Sequence, residues 1–111
     1  MVMASDNMKM RAQLKGDAAS GGYTEVKVLM SHPMDTGRKK DDFDRLIPAH
    51  FVQLVTATLN GKIVLEVQWG TGISKNPYLT FRLTGAKIGD TVAVTWHDNL
   101  GETATQNIIV T

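Results

Sequence analysis

Met8, Met10, Ala12 and Leu14 alternate one for one with Lys9, Arg11, Gln13 and Lys15, and this period of two constrains the chain more than any other feature. A helix gathers residues three and four apart on one face, whereas a strand gathers every second residue. Strict apolar–polar alternation therefore describes a half-buried strand whose other face meets water. The run stops at Gly16, and after the loop DAASGG the same period returns at Val26, Val28 and Met30, between Glu25, Lys27 and Leu29. It recurs at Leu79, Phe81 and Leu83 and at Val92, Val94 and Trp96. His50 to Leu59, HFVQLVTATL, is rich in β-branched residues and runs straight into Asn60-Gly61. Asn-Gly supplies the positive φ angles of a type I′ turn, so Lys62 to Trp69 is expected to fold back as an antiparallel partner. Asn99-Leu100-Gly101 then turns the chain into a last strand, Glu102–Val110.

No segment carries a helical stripe, and seven short strands punctuated by Gly, Asn and Asp predict an all-β fold. The natural arrangement is an immunoglobulin-like antiparallel β-sandwich. With 111 residues, the chain is one domain's worth, enough to bury roughly two-thirds of its unfolded surface. Residues 1–7 read as a flexible N-terminal segment and 8–111 as the single domain. Lys and Arg nearly balance Asp and Glu, leaving a net charge of +1, so no basic field gathers phosphate backbones or anionic lipid. Neither nucleic acid nor membrane is an expected partner. The chain has no cysteine, which excludes a disulfide, a thiolate metal site and a thiol nucleophile. MVMASDNMKMRAQLKG lacks the apolar run of a secretory signal, so this chain is expected to carry no export address of its own.

MSHPM, Met30 to Met34, puts two thioethers and an imidazole within five residues. Sulfur and neutral imidazole suit copper, and a stand-alone copper-binding sandwich with Met/His ligands is one reading. Against it, Met30 shares the inward parity of Val26 and Val28 and is expected to fill the core. His32 keeps that parity only if the strand runs on, and Pro33 opposes continuation. His50 opens a strand and His97 should face outward after Trp96, so the three imidazoles stand at separate strand ends. No tightly bound metal and no cofactor are expected. Asp35, Asp41, Asp42 and Asp44 sit among Arg and Lys in the long segment between Pro33 and Pro48 and read as solvated surface. That segment is too long for a simple hairpin connection, which suggests function or partner contact. Ser74-Lys75-Asn76-Pro77-Tyr78 reads as a turn, because Asn before Pro is pushed to an extended or turn conformation, and it presents Lys75 and Asn76 in a defined pose.

LKGD at Leu14–Asp17, VKVLMSHPMDTG at Val26–Gly37, LIPAHF at Leu46–Phe51, VQWG at Val67–Gly70, SKNPYL at Ser74–Leu79 and GD followed by VTW at Gly89–Trp96 together resemble the SoxZ family. The resemblance runs in order over nearly the whole chain. It implies the cysteine-free subunit of the SoxYZ carrier of bacterial sulfur oxidation, an immunoglobulin-like sandwich paired as a heterodimer with SoxY. In such a pair SoxY bears the substrate-binding cysteine on a Gly-rich C-terminal arm, and other Sox enzymes make transient contacts. The chain ends NIIVT without such an arm, so the implied role is non-catalytic. The implied location is the periplasm, reached with a SoxY that bears the export signal. On this reading His32, Pro33, Met34, Ser74, Lys75, Asn76, Pro77 and Tyr78 are the expected partner-binding residues, Met34 as an adaptable exposed contact. Val52, Leu54, Val55 and Leu59 put apolar residues on both faces of one strand, more than a one-sided core needs. A metalloenzyme of the superoxide reductase kind would need a Cys thiolate and four His, and the chain has no Cys and three His.

Overall fold

The alternating segments become strands β1 (Met8–Lys15), β2 (Tyr23–Met30), β3 (Val52–Leu59), β4 (Lys62–Gln68), β5 (Tyr78–Leu83), β6 (Thr91–Asp98) and β7 (Thr103–Ile109). The structure is a computed structural model and describes residues 8–16 and 22–111. The expected flexible segment 1–7 and most of the DAASGG loop lie outside the described residues. A three-stranded sheet of order β1-β2-β5 packs on a four-stranded sheet of order β4-β3-β6-β7, with every pairing antiparallel. This is the expected immunoglobulin-like sandwich. The Asn60-Gly61 turn forms as read, with φ of 50° and 84° and Leu59 opposite Lys62.

The inward residues of the two sheets close one core. Val26, Val28 and Met30 join Val52, Val55, Ala57, Val92 and Val94 in a single cluster of fully buried side chains. Burying a side chain of this size stabilises the fold by roughly 1.5–3 kcal/mol, before the entropy of ordering the chain is set against it. Val52 and Val55 lie three apart yet are both fully buried. A register shift between Val52 and Leu54 against β6 explains this, because an extra residue reverses which side chains point inward. The apolar excess of β3 is therefore partly a bulge and not simply a second apolar face, and Leu54 is only half-buried.

The long segment after Pro33 is ordered by its own hydrogen bonds. Asp35 and His50 exchange two backbone bonds, 2.7 and 2.9 Å, which ties the chain leaving β2 to the chain entering β3. Further out, Asp41 Oδ1 accepts the N–H groups of Phe43 (2.8 Å) and Arg45 (3.0 Å), a local turn that leaves Phe43 exposed at its tip.

Candidate functional site

At one end of the sandwich the chain leaves β2, enters β3, enters β5 and turns from β6 to β7. Thr24, Val26, Val28, Met30, His32 and Met34 are all buried, so the inward alternation of β2 continues four residues past the end of its ladder. β2 is paired as far as Met30, and Pro33 does not end the alternation, because other partners hold the chain. The N–H of His32 donates to Asn76 Oδ1 (3.1 Å) and its carbonyl accepts the N–H of Asn76 (2.9 Å). The N–H of Met30 donates to the carbonyl of Pro77 (2.9 Å). MSHPM and SKNPY are thus laced together. Asn76 takes a turn conformation with φ of 52°, which Asn tolerates better than most residues.

The same buried position of His32 sets up a polar knot. His32 Nδ1 accepts the N–H of Met34 (3.1 Å), so that nitrogen carries no proton. The proton of the neutral ring is then on Nε2, which donates to Asp98 Oδ2 (3.1 Å). Asp98 closes β6 with a side chain that is 0% exposed, on the inward parity of Val92, Val94 and Trp96. Its Oδ1 accepts the N–H groups of Leu100 (3.0 Å) and Glu102 (2.8 Å), and its Oδ2 also receives His50 Nε2 (2.8 Å). His50 Nε2 lies 3.1 Å from Glu102 Oε2 as well. The N–H of Asn99 donates to the carbonyl of Phe51 (3.0 Å) and Phe51 N–H to Asn99 Oδ1 (2.8 Å), which sets His50 against the β6–β7 turn. The rings of His32 and His50 meet edge to face, their centroids 4.5 Å apart. A recess of about 330 Å³ opens beside them, lined by Pro33, His32, His50, Trp96, Glu102 and Thr103 among others.

These contacts shift protonation in opposite senses. For His50, burial acts to lower the pKa, but the Asp98 and Glu102 carboxylates at hydrogen-bond distance outweigh it and hold the imidazole above its ordinary 6.5. For Asp98, burial alone would raise the pKa, yet hydrogen bonds from His32, the Glu102 N–H and His50 pull it down to about 2. Chemically the cluster can hold a proton or a cation. With both nitrogens engaged, His32 is not placed to act as a free base, and the Thr103 hydroxyl donates to the Trp96 carbonyl (2.9 Å).

The model of a family described as "Sulphur oxidation protein SoxZ" matches residues 10–108. The chain belongs to the SoxZ family. No curated protein matches it. The matched span contains every segment that builds this end of the sandwich, and the absence of cysteine accords with the SoxZ assignment.

Within the SoxZ fold the expected contact residues divide into two groups. Pro33, Ser74, Lys75, Asn76 and Tyr78 are exposed, while His32, Met34 and Pro77 are buried beneath them. Met34 is a correction to the expected exposed contact: its Sδ accepts the N–H of Val52 (3.3 Å) and the side chain sits in the core. Burial of Met30 and Met34 also takes the two thioethers of MSHPM away from any shared copper site at the surface. His97 faces outward as expected, but His32 and His50 meet, which the separation of their strand ends did not suggest. Asp98 and Glu102 were missed altogether. The available signal was parity, since Asp98 continues the inward series of β6, and an acidic residue on a core face needs a partner.

Proposed function

We propose that this chain is a non-catalytic subunit of a periplasmic sulfur-intermediate carrier, pairing with a SoxY-like subunit whose cysteine bears the thiosulfate-derived group. Membership of the SoxZ family carries the reading, and it is supported by the absence of any thiol from the chain. Thiosulfate-derived adducts attach through a disulfide-like bond that needs a thiolate, and the thioethers of Met cannot form that bond without losing a substituent. In this role the buried His32–Asp98 pair holds the end of the sandwich rigid. Exposed Pro33, Lys75, Asn76 and Tyr78 then form a surface for the partner or for the enzymes that act on the carrier. Export follows from a signal on the partner.

The test is co-expression with a SoxY-like chain, light scattering of the product, and incubation with thiosulfate and the oxidising enzyme before denaturing, non-reducing mass spectrometry. One chain of each kind is expected, with all added mass on the cysteine-bearing partner. Two independent monomers, or a reductant-sensitive sulfur adduct on this chain, would overturn the reading.

A further inference from the structure

His50, Asp98 and Glu102 offer three ligand atoms whose arrangement exceeds what hydrogen bonding among them requires. His50 Nε2 lies within 2.8 Å of Asp98 Oδ2 and 3.1 Å of Glu102 Oε2, and one ring N–H cannot point well at two carboxylates. Together with His32 Nε2, these atoms all fall within 4.8 Å of one another. A tetrahedral ion with bonds of about 2.1 Å needs ligand atoms about 3.4 Å apart, so small outward shifts would suffice to admit one. Two carboxylates beside a single imidazole leave net negative charge around a fully buried oxygen, which a divalent cation would neutralise.

We propose that His50 Nε2, Asp98 Oδ2 and Glu102 Oε2 bind a divalent transition-metal ion, with zinc as the reference, at the recess, and that His32 is a positioning residue outside the coordination shell. The role of His32 follows from its tautomer. Its Nδ1 accepts the Met34 N–H, so Nε2 keeps its proton and donates to Asp98 Oδ2. Direct ligation would require the proton on the nitrogen that already faces a donor. A hydrogen bond onto a ligating carboxylate is the usual second layer of a metal site. Two backbone N–H groups on Asp98 Oδ1 complete that layer and aim Oδ2 at His50. The Glu102 side chain, 59% exposed, provides the way in. Trp96 also lines the recess. Nitrogen and oxygen donors suit zinc better than the copper(I) that thioethers would select. This inference is independent of the pairing with SoxY.

The experiment titrates the untagged, chelator-treated full chain with zinc chloride by calorimetry and native mass spectrometry, then records the X-ray absorption fine structure of the loaded protein. Saturable uptake of about one ion is expected, with one imidazole in the shell. His50→Ala and the surface change Glu102→Gln should each weaken binding at least roughly tenfold, whereas His97→Ala, on the outer face of β6, should not. His32→Gln should weaken binding and leave the imidazole count at one. No saturable uptake by the folded chain, or uptake indifferent to both His50→Ala and Glu102→Gln, would overturn the site. Two imidazoles in the wild-type shell would overturn the role given to His32.

Discussion

Asp90 and Asp98 stand at opposite ends of β6, and the two carboxylates organise the two ends of the sandwich by different physics. Asp90 Oδ2 accepts the N–H of Lys87, three residues back (2.8 Å), and beside it Asn60 Oδ1 accepts the N–H of Thr91 (2.9 Å). Its pKa is lowered chiefly by that backbone donor, then by the Asn60 side chain. Asp98 instead gathers His32 and His50, 66 and 48 residues away, onto one buried oxygen. One end is built from exposed hydrogen bonds that solvent can replace. The other is a long-range polar knot in which each member's burial depends on the rest, and such a network is stabilising only when every group is satisfied. It is also the end that bears the recess and the exposed residues proposed to meet partners, so the buried knot lies beside the proposed contact surface.

The sharpest way to break this comparison is to truncate both aspartates. Asp98→Ala leaves the His32 Nε2–H and two backbone N–H groups without an acceptor, and each buried donor left unsatisfied costs about 1–3 kcal/mol. Urea unfolding followed by Trp fluorescence should show a large fall in the midpoint, while Asp90→Ala moves it far less. Equal shifts would mean that the two ends are built alike.

Acid offers the next largest effect. The carboxyl of Asp98 is held at about 2, below its ordinary 3.8, so its contribution is present above the unfolded value and is lost as pH falls through the folded one. That contribution is about 2 kcal/mol. The stability difference between metal-free wild type and Asp98→Asn should therefore shrink as pH is lowered from about 5 to 2. His50 has the opposite sign, because its pKa is raised. Its contribution is full below about 6.5 and fades as pH rises through the folded value, so the gap between wild type and His50→Ala should narrow in alkali. A gap for Asp98 that stays constant down to pH 2 would remove the carboxylate from the knot.

The smallest effect belongs to the exposed end. Gly61 has φ of +84° and a Cβ there would meet nothing within 4 Å, so Gly61→Ala carries conformational strain alone, about 1 kcal/mol. The same urea titration should detect it, and zinc uptake at the far end should not change. Altered uptake would show that the two ends are coupled through the sheet.

What the amino-acid sequence determined by itself is what depends on near neighbours. The period of two in MKMRAQLK and TVAVTW placed strands and their inward faces, because side-chain direction along a strand is set by backbone geometry. Asn60-Gly61 specified its hairpin, because few other pairs take positive φ at both positions. Inward parity even reached His32 and Asp98, although Pro33 obscured the first and the charge of the second concealed its place on a core face. Only the tertiary structure decided that His32, His50, Asp98 and Glu102 converge, that MSHPM and SKNPY share backbone hydrogen bonds, and that Met34 fills the core while Lys75 remains outside. Those outcomes depend on sheet order, on the bulge in β3 and on the Asp35–His50 bridge. None of these has a signature in local periodicity, because each is selected by the joint requirement to bury apolar faces while leaving every buried polar group a partner.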